Sequence, residues 1–191
     1  EANKPVPDEP ILFLKAGSSV IGPDEPIRVP TDVGRVDHEV ELAVVVGRTA
    51  KGIAPDDALS YVAGYTILND VTARALQAAD LANQQPWFRS KSFDTFGPMG
   101  PWMVTADEIG NPGRLQIECQ VNGKLRQRSS TKHLVFPVPQ VLAYISHRIT
   151  LEPGDVVSTG TPEGIGPILP GDDVVCRIEK VGELRNPVRK A

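Results

Sequence analysis

Residues 39–46 read Glu39-Val40-Glu41-Leu42-Ala43-Val44-Val45-Val46. The run from Leu42 to Val46 is continuously apolar, and its three consecutive valines predict a strand buried on both faces. At its leading edge stand two glutamates at i and i+2. Side chains two apart in a strand share a face, so both carboxylates point one way. Two anions roughly 6 Å apart, in an effective dielectric of about 20, repel by about 3 kcal/mol. On a strand with one wet face the alternation of Glu and Val is simply polar-out and apolar-in. The valine run weighs against a wet face here, and Glu is almost never buried without a partner. A divalent cation would give both carboxylates a reason to share a face, and the pair needs a third partner elsewhere in the chain to become such a site.

The rest of the composition narrows the class. With 191 residues, 40% hydrophobic and 23% charged, the chain has the make-up of an ordinary globular protein and the length of one domain. Its net charge of −4, its 5% of aromatics and the lack of a basic cluster interleaved with Phe or Tyr argue against a nucleic-acid surface. The longest apolar run, Leu42 to Val46, is far too short to span a membrane, and no signal-like segment opens the chain. Cys119 and Cys176 sit in apolar, strand-like contexts without metal-ligand spacing, so they read as buried thiols of a reducing, cytoplasmic compartment. The chain begins at Glu1 and not at Met, and a further segment is expected before it. Residues 1–9 read as an extended arm, the remnant of a lid or preceding segment, and residues 10–191 as a single catalytic domain.

Gly and Pro are frequent but scattered, as in many short strands joined by fixed turns. Strands are expected at Ile11 to Lys15, Ile27 to Val29, from His38 onward, Tyr65 to Asn69, and Leu115 to Val121. Asn122-Gly123 is a hairpin signal, with Leu125 to Gln127 returning. Pro55-Asp56-Asp57 opens a short helix over Ala58 to Ala63, and a second helix follows Asp70. Val141, Leu142, Ile145 and Ile149 have helical spacing within Val138 to Arg148. Beyond that the chain reads as all β. Leu151-Glu152-Pro153-Gly154-Asp155 and Leu169-Pro170-Gly171-Asp172 look like one local turn used twice.

The third carboxylate is Asp70, in Asn69-Asp70-Val71-Thr72-Ala73-Arg74, where an apolar strand yields to a helical segment. Asp there also suits an N-cap. Arg74 and Gln77 follow at i+4 and i+7, so one helix face would carry an acid, a cation and an amide, either for a small anion or as a solvated surface. In Trp87-Phe88-Arg89-Ser90-Lys91-Ser92-Phe93 a lysine stands among much of the chain's aromatic content. Apolar surroundings make Lys91 tunable as an acid, a base or an oxyanion partner, or simply a lysine snorkelling over a hydrophobic loop. In Ser158-Thr159-Gly160-Thr161-Pro162-Glu163-Gly164-Ile165-Gly166 small and hydroxylated residues can bring backbone N–H groups to a carboxylate, although an ordinary turn has the same composition.

Taken together, His38-Glu39-Val40-Glu41-Leu42, Asn69-Asp70-Val71-Thr72-Ala73-Arg74, Ser90-Lys91-Ser92-Phe93-Asp94 and Thr159-Gly160-Thr161-Pro162-Glu163-Gly164-Ile165-Gly166 resemble, in order, the motifs of the fumarylacetoacetate hydrolase family. The resemblance spans nearly the whole chain. It implies a mixed α+β, strand-rich β-roll with a few short helices, a homodimer, and a divalent metal, usually Mg²⁺, with Mn²⁺ or Ca²⁺ as stand-ins. By the same resemblance Glu39, Glu41 and Asp70 are the metal ligands, and Arg74, Gln77, Lys91, Gly160 and Thr161 line the substrate site. Glu1 falls where the family places an acid on a mobile lid. Ala75 stands where members commonly carry Asp, and His38 where Tyr is frequent.

Oxygen ligands without Cys or His suit a hard cation. Such a centre chelates a 2-oxo or 1,3-dicarbonyl acid and stabilises its enolate, with Lys91 at the developing oxyanion or moving a proton. Hydrolysis of a C–C bond, decarboxylation and isomerisation all pass through that enolate. A member that binds metal and carboxylate without turnover is the alternative.

Overall fold

The apolar run forms the strand Val40–Val46, with six of its seven residues buried. Val40, Leu42, Val44 and Val46 enter the hydrophobic core from one face, while Glu41 and Ala43 on the other are also shielded. The computed structural model describes residues 7–191. In chain order these contain β1 (Val20–Ile21), β2 (Ile27–Val29), β3 (Val36–His38), β4 (Val40–Val46) and, after a 3-10 helix at Pro55–Tyr61, β5 (Val62–Asn69). There follow β6 (Thr72–Ala73), α1 (Arg74–Ala82), α2 (Phe88–Lys91), β7 (Gly97–Thr105) and α3 (Ala106–Ile109). The second half holds β8 (Gln116–Val121), β9 (Lys124–Ser130), α4 (Val138–Arg148), β10 (Val156–Ser158), β11 (Gly166–Pro167), β12 (Asp173–Ile178) and β13 (Gly182–Lys190).

Three sheets result, with strand orders β1-β7-β5-β4-β10, β11-β3-β6 and β2-β13-β12-β8-β9. Only β1 with β7 and β13 with β2 pair in parallel among the described strands. The buried apolar residues form one contiguous cluster fed by all three sheets and by α4. This is the expected mixed α+β, strand-rich architecture. Cys119 and Cys176 face each other across β8 and β12 as buried free thiols, Sγ to Sγ 3.9 Å.

Several local expectations hold in detail. The helix α4 spans Val138–Arg148 and buries Val141, Leu142 and Ile145. Asn122 (φ 52°) and Gly123 (φ 72°) are both left-handed, as a two-residue type I′ hairpin requires. The repeated turn is real. Asp155 Oδ2 accepts from the Glu152 N–H, and Asp172 Oδ2 from the Leu169 N–H, each at 2.8 Å.

Others are corrected. Ile11 to Lys15 forms no strand. It leaves Ile11 63% and Leu14 72% exposed and is held by its side chains and not by a ladder: Lys15 reaches Asp70, and the Phe13 ring packs 5.7 Å from Trp87. The helix expected over Ala58 to Ala63 is the 3-10 helix Pro55–Tyr61, and Val62 and Ala63 belong to β5. The strand expected from His38 starts earlier, as β3, breaks at Glu39, and resumes as β4. The helix after Asp70 begins only at Arg74, beyond β6, and its N-cap position is Ala73, so Asp70 caps nothing.

Candidate active site

Antiparallel pairing sets Val40 opposite Asn69 and Glu41 opposite Leu68, so the start of β4 meets the end of β5. The Asp70 N–H donates to the Glu39 carbonyl at 2.8 Å, and the Glu39 N–H donates to Asn69 Oδ1 at 2.8 Å. Glu39 thus leaves the regular ladder, and a side-chain amide takes over its backbone bond. The outcome is three buried carboxylates, Glu39, Glu41 and Asp70, with one oxygen of each within 4.8 Å of the others. They form the floor of a cavity of about 340 Å³ whose wall includes Phe13, Arg74, Gln77, Leu81, Trp87, Lys91, Thr161 and Ile165.

Three cations surround the acids. Lys91, at the end of α2, donates to Glu39 Oε2 at 2.8 Å and to Asp70 Oδ2, and its Nζ lies 4.9 Å from the Phe13 ring centre. Lys15 pairs with Asp70 Oδ1 at 2.8 Å and donates to the Lys91 carbonyl. Arg74, at the start of α1, gives Nε to Asp37 Oδ2 at 2.9 Å, one terminal nitrogen to Gln77 Oε1 at 2.5 Å and the other to Glu39 Oε1. Asp37 is fully buried and also takes Arg35. Arg89 binds buried Asp80 through Nε at 2.7 Å, tying α2, which carries Lys91, to α1, which carries Arg74 and Gln77.

Glu41 differs from its neighbours. Among the described residues no ammonium or guanidinium pairs with it; its Oε2 instead accepts from the Ser158 hydroxyl and, at 2.8 Å, from the Gly160 N–H. Burial, with Asp70 and Glu39 beside it, pushes its carboxyl up to about 8. Burial also raises Glu39. Burial works upward on Asp70 too, but Lys15 and Lys91 outweigh it and hold the carboxyl below its usual range. For Lys91 the desolvation that favours the neutral amine is overcome by Asp70 and Glu39, and the ammonium is stabilised. A buried carboxylate that lacks a countercharge, set beside two others, fits a hard divalent cation and suits neither zinc nor a soft metal.

The expected residues therefore converge, with exceptions. Glu39, Glu41, Asp70, Arg74, Gln77, Lys91 and Thr161 all line this one cavity. Asp70 is not on the helix face of Arg74 and Gln77; it enters the same cavity from just beyond the end of β5. Gly160 turns its N–H to Glu41 and so orients a carboxylate of the chain itself. Glu1 lies outside the described residues. Ala75 is exposed, beside Gly34, and is not among the residues lining the cavity. His133 and His147 are exposed and do not line this cavity; His133 lines an adjoining one that shares Glu41, Asp70 and Thr161 with it. Lys15, Asp37, Asn69, Gln127 and Ser158 support the site without a strong sequence signal. Lys15, Asn69, Gln127 and Ser158 stood inside segments singled out for other reasons, and Asp37 stood in none.

Comparison with known proteins agrees with this geometry. The family model described as fumarylacetoacetate (FAA) hydrolase C-terminal matches residues 1–189. An oxaloacetate tautomerase, fahd2, mitochondrial, of Xenopus laevis is 46% identical over 195 residues, covering 98% of this chain and 60% of that protein. The crystal structure of a 5-carboxymethyl-2-hydroxymuconate delta-isomerase from Mycobacterium smegmatis superposes with a TM-score of 0.92 at 43% identity, over 100% of this chain and 73% of the other. A maleylpyruvate hydrolase from Sphingobium sp. SYK-6, in complex with manganese(II) and pyruvate, matches with a TM-score of 0.86 at 39% identity, over 94% of this chain and 64% of that one. The chain belongs to the fumarylacetoacetate hydrolase family.

Proposed function

We propose that this protein is a divalent-metal-dependent enzyme that moves protons within small 2-oxo dicarboxylic acids, interconverting keto and enol forms or double-bond isomers. The observation that carries the reading is the buried group Glu39, Glu41 and Asp70 on the floor of a cavity whose wall bears Lys91, Arg74 and Gln77. Glu39, Glu41 and Asp70 would hold the cation, usually Mg²⁺ in this family, with Mn²⁺ able to replace it; the relative crystallised with manganese(II) and pyruvate supports that choice. Such a cation, when bound, polarises the 2-oxo and carboxylate oxygens as a Lewis acid.

The chain's own groups do the rest. Arg74 and Gln77 offer planar donors to a substrate carboxylate, and Phe13, Leu81 and Trp87 give the carbon skeleton apolar contacts. Lys91, fixed by two carboxylates, places a mobile proton where negative charge develops on the 2-oxygen. As the C3 proton leaves to water at the cavity mouth, Lys91 delivers one to that oxygen and is reprotonated from solvent. Beyond the groups around this cavity, proton transfer needs only solvent to take and return a proton. It also matches the tautomerase and isomerase activities that two relatives are named for.

The test is the decay of enol-oxaloacetate and of a dienol dicarboxylate, followed by ultraviolet absorbance with Mg²⁺ or with EDTA. Metal-dependent acceleration that EDTA abolishes is expected. No acceleration with either substrate, alongside metal-dependent cleavage of an acylpyruvate, would replace this reading with a hydrolase.

A further inference from the structure

We infer that Gln127 is a positioning residue of this site: it clamps Thr161 to the strand that carries the carboxylates, leaving the Thr161 backbone N–H, and not its hydroxyl, to meet an anionic ligand. The inference rests on the reading of the cavity as an oxo-acid site. Gln127 lies on β9, is 0% exposed and does not line the cavity itself. A carboxamide has two acceptor positions and two N–H donors. Here all four are taken. Oε1 accepts from the Val40 N–H at 3.2 Å and faces His38 Nδ1 at 2.9 Å, and Nε2 donates to Thr161 Oγ1 and to the Pro162 carbonyl, each at 2.8 Å.

The amide cannot be turned over. Reversal would set its NH₂ against the Val40 N–H and its oxygen against the Pro162 carbonyl. Its orientation in turn assigns the imidazole, because an oxygen facing His38 requires the proton on Nδ1. One side chain thus pins the residues on either side of Glu39 and, through its other end, the loop that follows β10.

Thr161 then follows by elimination. Its hydroxyl accepts from Gln127 and donates its hydrogen to the Val40 carbonyl at 3.0 Å. That hydrogen is committed inside the fold. The remaining donor of Thr161 is its backbone N–H, for which no acceptor is found among the described residues, on a residue that does line the cavity. A ligand carboxylate in the cavity would give that N–H a charge-assisted acceptor.

The experiment is calorimetric titration of pyruvate into the Mn²⁺-loaded full chain, with Mn²⁺ affinity measured separately. Gln127→Glu keeps the acceptor for His38 and Val40 but loses the amide donors; it is expected to weaken pyruvate about tenfold while Mn²⁺ affinity stays within about threefold. Thr161→Val, which breaks the clamp from the other side, should match it, and the double variant should lose no more than either single one. Thr161→Ser keeps both hydroxyl bonds and should lose less pyruvate affinity than Thr161→Val. Wild-type pyruvate affinity in Gln127→Glu, or additive losses in the double variant, would overturn the inference while leaving the oxo-acid site standing. Should Gln127→Glu fail to fold, the contrast between Thr161→Val and Thr161→Ser decides. If the wild-type protein with Mn²⁺ takes up no pyruvate, the oxo-acid reading fails and this inference falls with it.

Discussion

Lys91 shows how a residue acquires its role from its neighbours. Its ammonium is nearly enclosed, bridges Glu39 and Asp70, and lies against the Phe13 ring. Replacing it with methionine keeps the volume and removes the charge. Lys91→Met should therefore still bind Mn²⁺ but lose turnover by at least about 100-fold, the scale of removing a preorganised donor at a developing oxyanion. A steady-state assay beside a Mn²⁺ titration checks this, and full activity would remove the lysine from the chemistry. Lys91 was legible in the sequence because a cation set among aromatic rings gives up hydration and needs anions to hold it. Lys15 was not, since its link to Asp70 exists only once the segment before β1 folds across the cavity. Gln127 was less legible still. In Arg126-Gln127-Arg128 nothing marks the middle side chain as the buried one, and only the pleat of β9 decides it.

At the scale of elements, the loop from β10 to β11 is what brings hydroxyls and backbone donors to the site. Gly164 shows how closely it is seated. Its φ is +95°, and a Cβ there would come within 2.2 Å of the Arg126 carbonyl on β9. Since that neighbour is backbone, rotamer changes cannot relieve the contact. Gly164→Ala should lower stability by about 1–3 kcal/mol in urea denaturation and weaken pyruvate by lifting Thr161 off Val40. An unchanged midpoint would mean that the loop is not seated as described. Elements with a local cause were the readable ones. The hairpin follows from the φ values that Asn122 and Gly123 tolerate, and α4 from its apolar spacing. The misread ones had causes elsewhere. Ile11 to Lys15 has strand-like residues but is held by the Lys15 and Phe13 side chains, and the helix after Asp70 is delayed because the Arg74 N–H bonds the Arg35 carbonyl and Asp37 takes the Arg74 guanidinium.

Over the whole molecule, two sheets meet at one set of charges. The sheet of β4 and β5 supplies Glu41 and, at the ends of these strands, Glu39 and Asp70, while the sheet of β8 and β9 supplies Gln127 from behind. The continuous apolar run made the central strand legible, because a strand buried on both faces has no other place in a sheet-rich fold. What a single strand could not reveal was the balance of charge around it. Lys15, Lys91 and Arg74 pair with Glu39 and Asp70, and Glu41 is left without a paired cation among the described residues. The account therefore turns on Glu41 as a metal ligand, and the most direct test is a Mn²⁺ titration of the wild-type chain and of Glu41→Ala by calorimetry, with circular dichroism as the check of fold. One Mn²⁺ per wild-type chain, and at least about a hundredfold weaker binding in a folded Glu41→Ala, is the predicted result; equal Mn²⁺ affinity in the two proteins would contradict it.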